Sequence, residues 1–425
     1  MSDTIFALSS GAPPAAIGVI RVSGPDAGGA LRQFTGREVE PRRPSVAKLR
    51  GADGALLDEA LILWFPGPAT ATGEDLAELH CHGGRAVVAA IEAELGAMPG
   101  LRKAEPGEFT RRAFANGRID LAEAEGLADL LSAETELQRS AAIAMAGGGL
   151  SRQVEEWRDQ LLRLAAEVEA ALDFADEDDV SGLSSDFDAR LSAFSAELAE
   201  WLARPRAERL GEGFRVVLAG PPNAGKSTLF NVLVESEAAI TSPIEGTTRD
   251  VIERSVAIDG VPFTFVDTAG LRDEGSDEIE AIGVGRAREQ LKRADLVLWL
   301  GPEYEGPEGS WEIEAQIDKQ ANPVKPNPDW RVSAKTGENL ADLKHALISA
   351  ARDALPKPGE AALNARQHGL LKEAHTSLCD AMEHSDPLII AECFRRARLS
   401  FDRLIGRATT EDMLDALFGR FCIGK

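Results

Sequence analysis

The stretch at residues 220–228, Gly-Pro-Pro-Asn-Ala-Gly-Lys-Ser-Thr, has the residue types and the spacing of a loop that binds nucleotide phosphates. Gly220 and Gly225 allow successive backbone N–H groups to turn toward one phosphate, and the helix that follows adds partial positive charge. Lys226 suits contact with the β- and γ-phosphates, and Ser227 suits coordination of Mg²⁺. The stretch therefore predicts a nucleoside triphosphate site.

The segments on either side of this loop have the patterns that its geometry needs. Apolar residues at Phe214–Ala219 predict a buried strand, and residues 226–234 are predicted as a helix. Further strands are predicted at residues 261–266 and 294–300. Alternating strands and helices over residues 213–355 are typical of a doubly wound parallel sheet.

Three short segments further along the chain occur in the order that a guanine-nucleotide switch requires. Thr248, in the loop at residues 246–250, is placed to complete the Mg²⁺ shell when a γ-phosphate is present. The Asp-Thr-Ala-Gly segment would bring Asp267 to Mg²⁺ through water and the Gly270 N–H to the γ-phosphate. Residues 333–335, Ser-Ala-Lys, would place backbone groups near a guanine base.

The segment that should recognise the guanine base departs from the usual Asn-Lys-x-Asp pattern. Residues 315–318 are Ala-Gln-Ile-Asp, after a weak strand that begins at Trp311. Asp318 can accept hydrogen bonds from guanine N1 and N2, whereas Ala315 cannot make the contacts of the asparagine. Gln316 lacks the charge of the lysine and has a shorter stem. The sequence therefore predicts weakened guanine affinity or selectivity.

Composition limits the classes of protein that the chain can form. Its 425 residues, 44% hydrophobic and 27% charged, are typical of a globular protein of roughly two to four domains. No run of about 18 apolar residues occurs, and we expect neither a membrane span nor a secretion signal. The 4 scattered cysteines favour free thiols in a cytoplasmic protein. A net charge of −24 argues against diffuse attraction to nucleic acid, so any RNA contact must be local.

Two clusters of metal-ligating residue types lie outside the phosphate loop. Residues 80–82, His-Cys-His, fall in an apolar segment that we expect to be a strand. Neighbouring side chains of a strand point to opposite faces, so these three cannot share one ion. The five carboxylates at residues 173–179 are typical of a solvated acidic loop, with a divalent-ion site as the alternative.

The chain divides by pattern into four segments of a multidomain fold with α/β and all-α parts. Residues 1–118 are predicted as mixed α/β, residues 119–210 as helical, residues 213–355 as the P-loop domain, and residues 361–425 as helical again. We therefore expect the P-loop domain to be inserted between two helical segments that form one domain. Pro-Lys-Pro-Gly at residues 356–359 is the expected linker.

Four stretches outside the phosphate loop resemble the MnmE (also called TrmE) family of tRNA-modification GTPases, which is similar to the Era group. They are residues 421–425 (Phe-Cys-Ile-Gly-Lys), 18–24 (Gly-Val-Ile-Arg-Val-Ser-Gly), 106–110 (Pro-Gly-Glu-Phe-Thr) and 120–125 (Asp-Leu-Ala-Glu-Ala-Glu). The resemblance covers essentially the whole chain. It implies a K⁺-activated GTPase that acts with the FAD-containing protein MnmG (also called GidA). Together they would add a carboxymethylaminomethyl or aminomethyl group to the wobble uridine of tRNA.

The resemblance also assigns roles to residues around the nucleotide. The implied K⁺ ligands are Asn223, Ser242, Ile244 and Thr247, and the implied Mg²⁺ ligands are Ser227 and Thr248. Glu280 takes the water-orienting role, because Leu271 stands where Ras-like proteins carry Gln, and the alternative is a solvated helix carboxylate. The predicted nucleotide contacts are Asn223, Ala224, Gly225, Lys226, Ser227, Thr228, Ser242, Pro243, Ile244, Glu245, Gly246, Thr247, Thr248, Asp267, Thr268, Ala269, Gly270, Asp318, Ser333, Ala334 and Lys335.

The resemblance implies a second site, for folate, in a folate-binding-like N-terminal domain that also forms the homodimer. The implied contacts are Arg21, Glu78, Arg118 and Lys425. A carboxylate suits the pterin N–H groups, and the cations suit the glutamate tail of 5,10-methylene- or 5-formyl-tetrahydrofolate. Surface ion pairs are the alternative. Cys422 is the catalytic candidate at this end, with a packed side chain in a terminal turn as the alternative.

Partners and competing functions follow from the same resemblance. It implies a homodimer, a heterotetramer with MnmG, and tRNA as substrate. The alternatives are an Era-type factor in ribosome assembly, a regulatory switch without modification chemistry, and an autonomous folate-dependent methyltransferase. A recognisable GXXG RNA-binding module is missing from the sequence, which disfavours the first. The arginines that could meet tRNA phosphates, or pair with the excess carboxylates, are Arg395, Arg396, Arg398, Arg403 and Arg407.

Overall fold

The computed structural model describes residues 3–173, 183–235, 238–239, 252–268, 288–319, 325–408 and 410–424. The chain forms two compact units, Met1–Ala128 with Asp402–Lys425, and Asp129–Phe401. The four-segment domain division stays a prediction. None of the helices in the described part of the chain is long and apolar enough to cross a membrane.

The first unit contains a six-stranded sheet with two helices packed on one face. Its elements are β1 (Thr4–Leu8), β2 (Ile17–Ser23), α1 (Ala27–Thr35), β3 (Ser45–Arg50), β4 (Leu56–Phe65), β5 (Leu76–His82), α2 (Arg85–Ala97), β6 (Leu101–Lys103) and α3 (Glu108–Ala115). The strand order is β3-β4-β5-β2-β1-β6, antiparallel except for the parallel pair of β1 and β6. Phe6, Ile20 and Leu79 pack with Leu31 of α1 and Ile91 of α2 in its core.

Strand β5 carries the His-Cys-His segment, and its side chains alternate as the sequence predicts. Cys81 is buried and donates its thiol to the carbonyl oxygen of Gly18 at 3.2 Å. His80 lies 3.2 Å from Glu78, and His82 lies 2.7 Å from Asp58. The two imidazoles therefore have carboxylate partners, while the thiol faces the apolar core.

The rest of the chain alternates helical and sheet segments. Its elements are α4 (Leu121–Ser132), α5 (Glu136–Ala146), α6 (Gly149–Asp173), α7 (Phe187–Ala203), α8 (Glu208–Glu212), β7 (Phe214–Ala219), α9 (Lys226–Glu235), β8 (Ala238–Ala239), β9 (Ile252–Ile258), β10 (Val261–Asp267), β11 (Leu296–Trp299), β12 (Trp311–Ala315), β13 (Trp330–Val332), α10 (Leu340–Ala354), α11 (Ala365–Met382), α12 (Pro387–Leu404) and α13 (Glu411–Phe418). The predicted strand before the phosphate loop and the predicted helix after it are confirmed as β7 and α9.

The sheet of the second unit has the strand order β13-β12-β11-β7-β10-β9-β8. Strands β13 to β10 in this order are parallel, whereas β9 pairs antiparallel with both β10 and β8. The predicted parallel sheet is therefore interrupted at β9, which runs against both of its neighbours, whereas β8 again runs in the direction of β10. The physical reason is a two-residue turn, Asp259 and Gly260, with φ of 50° and 74°. Positive φ at both residues suits a tight hairpin, and Asp-Gly between apolar strands is the signal that indicates one.

Apolar residues from this sheet and its helices form a single core. Val216 of β7 and Phe265 of β10 are buried with Leu229 of α9 and Leu347 of α10. Leu137 of α5 belongs to the same core. Helix α5 therefore packs on the sheet, although its sequence position precedes the predicted P-loop domain.

Aromatic side chains and one carboxylate fix the packing of the long helices. Trp157 of α6 meets Trp201 of α7 edge to face at 5.3 Å between ring centroids, and Phe401 of α12 at 5.8 Å. Glu197 of α7 accepts hydrogen bonds from Trp157 Nε1 at 2.8 Å and Gln153 Nε2 at 3.0 Å. A buried indole N–H needs such an acceptor, so this carboxylate sets how α6 lies against α7.

Two of the arginines considered for tRNA contact have carboxylate partners. Arg395 lies 2.7 Å from Glu392, and Arg396 lies 3.3 Å from Asp380. Both pairs are exposed to solvent, where an ion pair contributes little to stability. The pairs therefore leave these arginines accessible to another anion.

The C-terminal segment docks on the first unit through its backbone. The Gly107 N–H donates to the carbonyl oxygen of Cys422 at 3.4 Å, and Pro106 forms a bridge with Ile423. Gly424 has φ of +93°, and a Cβ there would lie 2.2 Å from the carbonyl oxygen of Leu8. Only glycine allows the chain to pass this close to β1.

We predict that Gly424→Ala loosens the docked terminus. The Cβ would collide with the backbone of Leu8, whereas Gly117→Ala, a control at φ +64°, meets no atom within 4 Å. The rate of amide hydrogen exchange at Gly107 should be at least about tenfold higher in Gly424→Ala than in Gly117→Ala. Equal exchange in the two variants would contradict this close packing.

Candidate functional site

The phosphate loop follows β7, which lies between β10 and β11 near the middle of the sheet. Gly220 has φ of +144°, and a Cβ there would lie 2.9 Å from the backbone nitrogen of Gly301. Asn223 also has a positive φ, of 61°. The loop therefore turns sharply at the carboxyl end of β7, where parallel strands of such sheets bind their ligands.

Lys226 begins helix α9 and is held within the loop. Its side chain is 5% exposed, and Nζ donates to the carbonyl oxygens of Gly220 at 2.9 Å and Pro221 at 2.7 Å. A buried ammonium requires such acceptors, because burial without them is costly. The ammonium is therefore held at the loop that precedes the first turn of α9.

Asp267 and Thr268 follow the neighbouring strand to the same edge of the sheet. Asp267 is fully buried and pairs in register with Leu218 of β7. The Thr268 hydroxyl donates to the carbonyl oxygen of Leu218 at 2.8 Å. Ser227 is exposed in the first turn of α9. A hydroxyl and a carboxylate are oxygen ligands of the kind that Mg²⁺ prefers, so this set fits the ion.

The predicted base-recognition residues lie at the ends of β12 and β13. Ser333 is fully buried, accepts a hydrogen bond from the Thr336 N–H at 3.1 Å and donates its hydroxyl to Asp318 Oδ1 at 2.8 Å. This hydrogen bond lowers the pKa of Asp318, and the charges of Lys335 and Lys319 act in the same direction. Asp318 is therefore held as an exposed hydrogen-bond acceptor.

The structure also shows a contact that sequence reasoning missed. Gln316 lies against the phosphate loop, with Nε2 at 3.4 Å from the carbonyl oxygen of Asn223. A Cβ added to Gly225 would lie 2.9 Å from that same amide nitrogen. The departure from Asn-Lys-x-Asp was visible in the sequence, but the contact between the two loops depends on tertiary packing.

In the first unit, two of the predicted folate residues lie together. Arg21 of β2 is opposite Glu78 of β5 and forms an ion pair with it at 3.0 Å. The Arg21 guanidinium also lies 5.9 Å from the centre of the Phe109 ring. Arg118 instead donates Nε to the carbonyl oxygen of Thr70 at 3.1 Å.

Cys422 is a free, exposed cysteine on the docked C-terminal segment. Its backbone carbonyl is engaged by Gly107, while the thiol lies at the surface. The alternative of a buried packing side chain is therefore wrong for this residue.

Several predicted site residues lie outside the described residues. They are Ser242, Pro243, Ile244, Glu245, Gly246, Thr247, Thr248, Ala269, Gly270, Glu280 and Lys425. The remaining predicted nucleotide contacts, Ala224, Thr228, Ala334 and Lys335 among them, lie in the phosphate loop or directly after β13.

The strand, the glycine-rich turn and the helix that begins with the buried Lys226 define a P-loop nucleotide-binding protein. A family model for the MnmE helical domain matches residues 121–422, and one for the GTP-binding protein TrmE N-terminus matches residues 4–118. The chain belongs to the MnmE family.

Individual relatives agree with this assignment. The chain is 64% identical over 423 residues to the tRNA modification GTPase MnmE of Erythrobacter litoralis, covering 100% of both chains. It is 62% identical over 437 residues to the MnmE of Novosphingobium aromaticivorans, again covering 100% of both chains. A crystal structure of Era from Aquifex aeolicus aligns over 38% of this chain and 66% of that chain, with 24% identity. Its TM-score is 0.25.

We predict that Ser333→Ala raises the pKa of Asp318, because the variant removes the hydroxyl that lowers it. The lowered pKa keeps the wild-type carboxylate ionised at pH values below the ordinary pKa of an aspartate, and the contribution of this charge to the fold is lost as the pH falls through the lowered pKa. Carboxyl ¹³C NMR of Asp318 would measure the shift. Ser349→Ala, at an exposed position of α10, is the control and should leave the Asp318 titration unchanged. An unshifted Asp318 in Ser333→Ala would contradict the role of this hydrogen bond.

Proposed function

We propose that the chain is a K⁺-activated GTPase that, with MnmG, adds a carboxymethylaminomethyl or aminomethyl group to the wobble uridine of tRNA. The one-carbon unit comes from 5,10-methylene- or 5-formyl-tetrahydrofolate. The observation that carries the hydrolytic part is the buried Lys226 within the Gly220–Thr228 loop, at the carboxyl end of a central strand. Membership of the MnmE family supports the tRNA-modification part.

In the proposed reaction, water attacks the γ-phosphorus and the bond to the β–γ bridging oxygen breaks, which leaves GDP and phosphate. Lys226 moves from the loop carbonyls to the β- and γ-phosphate oxygens, where its charge offsets the charge that develops. Ser227 and Thr248 would hold Mg²⁺, with Asp267 acting on it through water, and the ion would supply positive charge beside the phosphates. Thr268, Ala269 and Gly270 contact the γ-phosphate side, and Glu280 orients the attacking water.

The proposed K⁺ ligands are the side chain of Asn223 and the backbone carbonyls of Ser242, Ile244 and Thr247. A bound monovalent cation supplies positive charge at the β–γ bridge, as an arginine does in other GTPases. Asn223 is exposed at the phosphate loop and has a left-handed backbone with φ of 61°. A neutral amide oxygen is a suitable ligand for a weakly hydrated cation.

The folate site is proposed at Arg21, Glu78, Arg118 and Lys425, with Cys422 as the reactive group of the terminal segment. Glu78 is fixed by Arg21 on one oxygen and by His80 on the other. A carboxylate oriented in this way suits the adjacent N–H groups of a pterin. We further propose a homodimer through this domain, a heterotetramer with MnmG, and GTP-driven closure and reopening of the G domains.

We predict that GTP hydrolysis by the wild type is much faster in KCl than in NaCl, and that Asn223→Gly removes this preference. Glycine tolerates the φ of 61°, so the variant tests the amide rather than backbone strain. Asn339→Ala, at a second positive φ of 59°, is the control for strain and should retain the K⁺ preference. Equal wild-type rates in the two salts would exclude the K⁺ site.

We predict that Glu78→Gln weakens 5-formyl-tetrahydrofolate binding by about tenfold or more, because the amide can still accept a bond from Arg21 but carries no charge. Isothermal titration calorimetry would measure the affinity. Glu59→Gln, an exposed carboxylate of the adjacent strand β4, is the matched control and should bind as the wild type does. Unchanged binding by Glu78→Gln would remove this residue from the folate site.

The whole proposal is tested by phosphate release and by tRNA analysis. No phosphate release from any purine triphosphate, with K⁺ and MnmG present, would overturn the GTPase. Fully modified wobble uridines in a strain that lacks the gene would instead favour an Era-type factor or a switch without modification chemistry. Turnover without MnmG would indicate an autonomous folate-dependent enzyme.

A further inference from the structure

The segment after β12 turns at once toward the phosphate loop. Gln316, the first residue after the strand, has a left-handed backbone with φ of 61°. The Lys319 N–H donates to the Gln316 carbonyl oxygen at 2.9 Å and closes a tight turn. This turn brings the side chains of residues 316 and 319 to the same side.

The stem of Gln316 lies on the phosphate loop. A Cβ at Gly225 would lie 2.9 Å from Nε2 and 3.2 Å from Cγ of Gln316. The glycine therefore leaves the space that the Gln316 side chain occupies. Nε2 is 3.4 Å from the carbonyl oxygen of Asn223. The glutamine is half-buried by these contacts.

The other end of the Gln316 amide meets a cation. Lys319 Nζ donates to Oε1 of Gln316 at 2.9 Å. Both ends of the amide are therefore engaged, which fixes its orientation: the NH₂ points to the phosphate loop and the oxygen to the ammonium. A charge-assisted bond on the oxygen polarises the amide and strengthens the donor at its other end.

We propose that Gln316 and Lys319 act as one unit in place of the lysine of the guanine-recognition motif. Gln316 supplies the surface that packs on Gly225 and beside the base, and Lys319 supplies the positive charge. Asp318 then carries the discrimination of guanine from adenine, because guanine presents N–H donors at positions 1 and 2 and adenine presents an acceptor at position 1. This inference rests on the proposed binding of guanine nucleotides at the loop.

A second consequence concerns the opposite edge of the base. Ala315 stands where the motif has asparagine, and its methyl group offers no donor to the N7 acceptor of guanine. The site therefore recognises the N1 and N2 edge but leaves position 7 without a side-chain donor from residue 315. A guanine nucleotide with carbon in place of N7 should bind as well as the natural one.

The test is calorimetric titration of the full-length protein with GDP, ADP and 7-deaza-GDP. We expect Gln316→Met and Lys319→Met each to weaken GDP binding by about tenfold, the loss expected for one charge-assisted hydrogen bond. Because the two residues act as one unit, the double variant should bind GDP at most about twofold more weakly than either single variant. Gln316→Lys should bind GDP at least as tightly as the wild type, and adding Lys319→Met to this variant should not change its GDP affinity.

The wild type should bind 7-deaza-GDP with an affinity within about twofold of that for GDP, and it should bind ADP more weakly than GDP.

Lys357→Met is the matched control, because it removes the same charge from an exposed position after α10 and should leave GDP affinity unchanged. The midpoint temperature of thermal unfolding, measured without nucleotide, should be the same for all variants. Wild-type affinity in both single variants, or strictly additive losses in the double variant, would overturn the paired role while the GTPase proposal stands. Strong preference for GDP over 7-deaza-GDP would overturn the account of position 7. A wild type that does not bind GDP would overturn both this inference and the proposed function.

Discussion

The hydrogen bonds from the buried Lys226 ammonium to the carbonyls of Gly220 and Pro221 hold the loop on which the nucleotide site depends. The loop can take this shape because residue 220 is a glycine, since the backbone at Gly301 leaves no space for a Cβ there. It lies at the end of β7, with β10 on one side and β11 on the other. Asp267 and Thr268 reach the same edge because parallel strands end together there.

The base end of the site shows how one function can be distributed differently along a chain. In the usual motif a single lysine provides both the stem that packs on the loop and the charge. Here Gln316 provides the stem, and the charge lies three residues later, at Lys319, across a tight turn. Asp318 keeps its place between them, and its acceptor character is maintained by the buried Ser333.

The first unit joins distant parts of the chain at the C-terminal segment. Gly424 passes against Leu8, and Cys422 bonds through its carbonyl to Gly107. The backbone of this segment is therefore fixed while the Cys422 thiol remains exposed. Arg21 and Glu78 lie on neighbouring strands of the same unit and hold one another in place.

The sequence by itself determined the phosphate loop, the strand and helix around it, and the family, because these depend on local glycine, lysine and apolar patterns. Residues 214–219 and 226–235 follow those patterns directly. The sequence also predicted the alternation of Cys81 with its histidines, since the period of a strand is a local property. Only the tertiary structure decided the packing of α5 on the sheet and the contact of Gln316 with Asn223. These features join residues far apart in the chain, so they depend on strand order and close packing rather than on the pattern of neighbouring residues.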